Sequence, residues 1–284
     1  MEAQMTFEEE ILVQIAPRLK RLRERFWAAD DLASVSYPLA AQAQIATIED
    51  SSFWFRHRNR VIGAVVRRYP PAGPILDVGG GNGAVSRALG RCGISAIVLE
   101  PGVDGSSIAH ARGLTVIQAN FDGELFAEGT VPAIGLFDVI EHVVDDVQLL
   151  RGSRTAMRSG GLLYVTVPAL QSLWSSDDEF AGHHRRYNRL VLRAALLASG
   201  FEIVALSAFF SLLIPPTFLF RTLPSAWGSR RVKDVDQAFK HHRPGQQLGG
   251  LMERLLAVEH AMIARGNALP FGTSLIAVAR KPVS

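Results

Sequence analysis

Two groups of residues in this 284-residue chain have types and spacings that could do chemistry. The first is Gly79-Gly80-Gly81-Asn82-Gly83, which follows the apolar run Ile75-Leu76-Asp77-Val78 and leads into Ala84. A strand that turns through glycines into a helix brings backbone N–H groups close to a nucleotide-like ligand. Glu100 closes the next apolar run, residues 95–99, and an acid there suits the two hydroxyls of a ribose. Asp77 lies inside the first strand, where its charge suits a cofactor carrying an ammonium group better than one carrying a pyrophosphate. Gly79, Gly81 and Ala84 also fit the G-x-G-x-x-A dinucleotide spacing. These residues alone therefore leave an NAD-type oxidoreductase open, although no hydride-transfer constellation follows.

The second group is rich in acids and histidines. Glu141-His142 comes directly after the apolar run 133–137, and His183-His184-Arg185-Arg186-Tyr187 follows Asp177, Asp178 and Glu179. A histidine at such a place can take the proton of a hydroxyl or ammonium, and an arginine can hold an anionic group. The bland alternatives are a loop locked by Asp–Arg pairs and a Glu141-His142 pair that braces its own turn. A metal would need convergent ligands with supporting partners, and none is expected here. Asn188 reads as the cap of a helix over 190–199 that Gly200 ends, which leaves 183–187 as loop.

The elements that must position these groups alternate along the chain. Strands are predicted at 75–78, 95–99, 114–118, 133–137 and 162–167, with helices at 84–91, 106–112 and 145–157 between them. Such alternation indicates a parallel sheet covered on both faces. Upstream, Phe7, Ile11, Ile15, Leu19, Leu22 and Phe26 recur at helical spacing, with Pro17 as a kink or restart. Phe53-Trp54-Phe55 opens a helix to Arg68 and could be core or pocket wall. More than sixty residues separate a strand at 201–207 from the last strand at 275–279. They include an uncharged apolar stretch ending at Phe220 and a helix over 251–263. Pro215-Pro216 interrupts that stretch and argues against a membrane span. It is expected to be core, a lid over a lipophilic substrate, or a contact with a membrane surface.

Composition narrows the classes. Apolar residues make up 48% of the chain, too many for a disordered one. Cys92 is the only cysteine, which excludes a disulfide scaffold and fits a reducing, cytoplasmic compartment. The net charge of +3 is spread along the chain, so nucleic acid is not an expected partner. The acidic start of the chain carries no secretory pattern.

With these residues in place, the chain resembles the class I S-adenosylmethionine-dependent methyltransferases. The resemblance rests on Leu76-Asp-Val-Gly-Gly-Gly-Asn-Gly83, Val98-Leu-Glu-Pro101, Phe137-Asp-Val-Ile-Glu-His-Val143 and Gly160-Gly161-Leu-Leu-Tyr-Val-Thr-Val-Pro168. A looser likeness to bacterial small-molecule methyltransferases adds Phe53-Trp-Phe with Arg58, Leu173-Trp-Ser, Asp178, Gly182-His183, Arg185-Arg-Tyr187 and Leu269-Pro-Phe-Gly-Thr-Ser274. It implies a Rossmann-like α/β fold with a mostly parallel seven-stranded sheet. A helical extension over 1–70 would precede a methyltransferase domain over 71–284 with an insertion at about 209–270. It implies S-adenosylmethionine as cofactor, held by Asp77, Gly79, Gly81, Gly83, Glu100, Asn120, Phe121 and Asp138. His183 and His142 would be the catalytic candidates, and Arg58, His184, Arg185 and Tyr187 would face the substrate. The acceptor would be an oxygen or nitrogen of a small molecule; the alternatives are the oxidoreductase and a non-catalytic binding protein. Gly80 and Asn82 depart from the family's commoner residues, but in a loop that works through backbone N–H groups.

Overall fold

The computed structural model describes residues 5–29, 41–49, 52–122, 124–232, 237 and 246–283. The central strands are β3 (Ile75–Val78), β4 (Ala96–Leu99), β5 (Thr115–Gln118), β6 (Val131–Phe137) and β7 (Met157–Pro168). All of β3, β4 and β6 is buried, as a parallel sheet covered on both faces requires. Between them run α4 (Ala84–Gly90), α5 (Val103–Ala111) and α6 (Asp146–Ala156). Alternation sends neighbouring side chains to opposite faces. Leu76, Ile134 and Leu163 pack with Leu150, Leu192 and Leu196 on one side, whereas Ile75, Ala133 and Tyr164 pack with Val61, Ile62, Leu256 and Ile263 on the other.

The sheet has nine strands, not the expected seven, in the order β1-β2-β5-β4-β3-β6-β7-β9-β8. The additional pair is β1 (Lys20–Arg23) and β2 (Phe26–Ala28), which lies where a continuation of the first helix is expected. That helix, α1 (Phe7–Ile15), starts at a Thr6–Glu9 capping box and stops just before Pro17. Beyond it, Phe26 and Trp27 are buried by parallel pairing of β2 with β5, a long-range contact that overrides the local helical spacing. Strands β8 (Glu202–Phe209) and β9 (Ser274–Arg280) complete the sheet antiparallel to each other, with β9 also antiparallel to β7.

Two covers stand over the carboxyl edge of the sheet. One is α3 (Phe53–Arg68), preceded by α2 (Ala41–Glu49). The other lies between β8 and β9 and contains the short α9 (Ile214–Thr217) and α10 (Leu223–Ala226), then α11 (Gln246–Ala264). Pro215-Pro216 falls in the first turn of α9, where a missing N–H is tolerated. Glu259 of α11 ties the covers together. Its carboxylate meets His57 Nε2 of α3 at 2.8 Å and accepts from the N–H groups of Phe210 and Ser211 at 2.6 and 2.8 Å. Arg56 and Glu253 add a second ion pair between the same two helices. Among the described residues, no helix is long and apolar enough to cross a membrane.

Candidate active site

The chain visits β3, β4 and β5 on one side of the sheet and then returns to β6 and β7 on the other. The crevice at the carboxyl ends of β3, β4 and β6 is therefore the topological switch point, where such sheets bind ligands. The glycine turn sits on its rim. Gly79, Gly81 and Gly83 have φ of +66°, +52° and +72°, a region that side chains resist. The turn is held by Gly79 N donating to Leu99 O at 2.8 Å and by Gly81 N donating to Glu100 Oε2 at 2.9 Å. The other oxygen of Glu100 accepts from Gly102 N at 2.7 Å. Asp77 is 1% exposed and accepts from Ser86 Oγ at 2.6 Å. Burial pushes its pKa up to about 6, against the opposing pull of the Ser86 hydrogen bond and the Arg58 charge.

Asp138, at the end of β6, is itself left-handed, with φ of +58°. Its carboxylate accepts from Arg58 Nε at 2.5 Å and Thr166 Oγ1 at 2.9 Å, while Arg58 Nη2 reaches Phe137 O at 3.0 Å. A cavity of about 740 Å³ opens from this floor. Asp77, Gly79, Gly80, Gly81, Asn82 and Glu49 line it, and Phe53, Trp54, Phe55, Phe180, Leu213 and Phe220 supply apolar wall from α3, the helix at Ser176–Ala181 and the insertion. Trp54 is fixed there by stacking on Phe210, with ring centroids 5.4 Å apart.

Glu141, His142 and His183 meet in the wall of the same cavity. A one-turn helix over Ile140–His142 carries the first two. His183 follows α7 (Ser176–Ala181), a helix that Ser175 and Asp178 start as a capping box and Gly182 ends in the left-handed region. The rings of His142 and His183 stand edge to face with centroids 4.7 Å apart. His183 Nδ1 meets Asp178 Oδ1 at 2.9 Å, and Arg186 grips the same carboxylate through Nε at 2.8 Å and Nη2 at 2.9 Å. Burial would raise Asp178, but the His183 hydrogen bond and the Arg186 charge hold it down to about 2. Burial and the neighbouring His183 push His142 down to about 4, so it is a neutral imidazole at neutral pH.

The structure brings together Asp77, Gly79, Gly81, Asp138, Arg58, His142 and His183 on one cavity. Gly83 caps α4 just behind the turn and Glu100 braces the turn from below. Asn120 and Phe121 follow β5 outside the lining, with Phe121 stacked on Phe126. Three residues expected to face the substrate do not reach the cavity. Tyr187 is fully buried and donates to Asp146 Oδ2 at 2.6 Å, His184 is exposed, and Arg185 pairs with Asp146. Tyr187 is a core brace because it pairs in register with Ala169 at the end of β7. Arg186 is the arginine of that loop that faces the cavity. Glu259 carries no local signal at all, since its partners lie about 50 and 200 residues away.

A family model described as a methyltransferase domain matches residues 54–206, more than half of the chain. The chain belongs to the class I S-adenosylmethionine-dependent methyltransferases. It is 26% identical over 178 residues to a Mycobacterium tuberculosis protein named a probable S-adenosylmethionine-dependent methyltransferase, across 61% of this chain and 64% of that one. The chain thus spans under two thirds of that relative. A Rhizobium etli ubiquinone biosynthesis O-methyltransferase is 27% identical over 190 residues, across 60% of this chain and 73% of that one. Among solved structures, a Haloferax volcanii methyltransferase in complex with the Trm112 activator superposes with a TM-score of 0.55 at 15% identity. It covers 88% of this chain and all of that one, a likeness of fold.

The cofactor of this methyltransferase is S-adenosylmethionine, and the family match decides against the oxidoreductase. The glycine-turn end fits that cofactor. Asp77, Glu49 and Asp138 are acids of the lining, Asp138 paired with Arg58 and Glu49 with Arg112, which leaves Asp77 to meet a sulfonium or an ammonium. At Gly79, in the left-handed region, a Cβ would stand 3.1 Å from Val139 Cγ2, a tight contact.

Proposed function

We propose that this methyltransferase acts on a hydroxyl oxygen or a nitrogen of a small, largely apolar molecule. One observation carries the reading. A single cavity is lined by the glycine turn with Asp77 and Asp138, by five aromatic rings and Leu213, and by His142 and His183. In this reading the turn, Asp77 and Glu100 hold the amino-acid and ribose parts of the cofactor. Asp138, fixed by Arg58 and Thr166, faces the sulfonium. When bound, S-adenosylmethionine supplies an electrophilic methyl group. The chain's own residues supply alignment and exclusion of water. Phe55, Phe180 and Phe220 seat the acceptor's apolar body, and its heteroatom stands at the His142–His183 wall, where its proton leaves. The extension and the insertion, joined through Glu259, form the cover. The O-methyltransferase names among the relatives support an oxygen acceptor. The reading includes a cytoplasmic site of action, which the free thiol of Cys92 supports.

The test is a screen of acceptors that reads release of S-adenosylhomocysteine. Turnover is expected with phenolic or lipophilic alcohols and amines, and not with nucleic acid. Turnover confined to a charged polymer would overturn the reading.

A further inference from the structure

The Glu141–His142–His183 cluster has a feature that a proton-accepting histidine pair does not explain. Glu141 is fully buried, and apart from its own backbone N–H neither carboxylate oxygen has a hydrogen-bond partner. A buried carboxylate without partners is costly, so a ligand that satisfies it gains what its burial costs. One ligating atom from each of the three side chains lies within 4.8 Å of the others. Ligands in a tetrahedral zinc site lie about 2.0–2.1 Å from the ion, so inward movements of about 1 Å or less close the set. His183 is oriented for the role. Its Nδ1 meets the Asp178 carboxylate at 2.9 Å, which leaves the Nε2 lone pair free to bind a metal. Asp178 is in turn fixed by Arg186 and by Ser175 N at 2.9 Å. Carboxylate–histidine–metal chains are built in this way. The two neighbouring acids are already matched, Asp138 by Arg58 and Asp178 by Arg186, so Glu141 is the carboxyl group of the cluster without a counter-charge.

We propose that Glu141, His142 and His183 bind a divalent transition-metal cation of the zinc or cobalt kind, with an open position facing the cavity. Two histidines and one carboxylate form a catalytic ligand set rather than a closed structural one. The site rests on the reading above and refines it, because the cation would receive the acceptor's hydroxyl oxygen. Coordination lowers the pKa of a bound hydroxyl, so its proton passes to solvent. The oxygen's electron pair then forms the new O–CH3 bond as the C–S bond breaks, and neutral S-adenosylhomocysteine leaves. The two histidines would act through the cation, and the acceptor class narrows to alcohols and phenols.

The test is a titration of the chelator-treated full chain with Co²⁺, followed by visible absorption, with Zn²⁺ as competitor. One Co²⁺ per chain is expected, displaced by Zn²⁺. Glu141→Gln and His183→Ala should abolish the absorption band, and Asp178→Asn should weaken binding about 10–100-fold. His110→Ala, on α5 and away from the cavity, should change nothing. Circular dichroism and calorimetric binding of S-adenosylhomocysteine check that each variant is folded; should Glu141→Gln fail, His183→Ala carries the comparison. Absence of a band in the wild type at millimolar Co²⁺, or a band that survives both ligand variants, would overturn the metal site. Failure of the wild type to bind S-adenosylhomocysteine would instead overturn the reading on which it rests.

Discussion

Replacing Asp77 with asparagine should make the cofactor-free protein more stable at pH 8 and a poorer binder of S-adenosylmethionine. Asp77 is buried under the glycine turn, and its pKa stands at about 6 against an ordinary 3.8. The sign follows from linkage. The folded chain holds a proton on Asp77 in a range where the unfolded chain has released it. Stability from this group is therefore lost as pH rises from about 4 to about 6, and its ionisation opposes folding above that window. At 1.36 kcal/mol per pH unit, the interval corresponds to about 3 kcal/mol at most. Asparagine removes the charge and keeps an oxygen for the Ser86 hydroxyl. Urea unfolding without cofactor, at pH 8 and pH 4.5, should show the variant about 1–3 kcal/mol more stable at the higher pH. The difference should shrink towards zero at the lower one. Calorimetry should show cofactor affinity down by about tenfold or more, the loss of one charge-assisted contact. A variant less stable than wild type at pH 8, or a difference independent of pH, would refute the reasoning. Arg58 would then have stabilised the carboxylate more than burial destabilises it.

Three further outcomes follow from the site. Glu100→Ala should weaken cofactor binding by about tenfold or more in calorimetry, because it removes the brace on Gly81 and, in the proposed site, the acid that would take the ribose hydroxyls. Phe218→Ser with Phe220→Ser should raise the acceptor's KM more than it lowers the melting temperature, since these side chains are 42% and 61% exposed and Phe220 lines the cavity; a large thermal loss with unchanged KM would make them ordinary core. Glu259→Gln should cost roughly 1.5–3 kcal/mol at pH 7 in denaturant unfolding, by weakening charge-assisted hydrogen bonds to His57 and to the N–H groups of Phe210 and Ser211. Burial raises the Glu259 pKa, but the His57 hydrogen bond and the backbone donors outweigh it and hold it below 4.5. The stability it contributes is thus present above about pH 4.5 and is lost as pH falls through the folded value, a dependence the variant should lack.

The parts of the molecule legible in the sequence are those whose cause is local. Glycines with left-handed φ, an acid at the end of β4 and the apolar runs of β3, β4 and β6 all announce themselves within a few residues. The N-terminal strands did not, because Phe26 and Trp27 are buried by a partner some ninety residues away. The helix α7 was missed among acidic residues, although Ser175 followed by Asp178 is a capping signal. His183, His184, Arg185, Arg186 and Tyr187 look equally functional in one dimension. Only the pairing of Tyr187 with Ala169 decides which face the cavity and which face away. The buried Glu259 lies on a helix whose spacing announces no site, and its role exists only once α3 and the end of β8 are beside it.

The central claim is that one cavity holds the cofactor at its glycine-turn end and the acceptor under α3 and the insertion. A crystal structure with S-adenosylhomocysteine bound tests it most directly. The account predicts the amino-acid end on Gly79 to Gly81 above Asp77, the ribose at Glu100, and the sulfur facing Asp138 with the aromatic end of the cavity open beyond it. Cofactor lying across Trp54, Phe55 and Phe220, or outside this cavity, would contradict it.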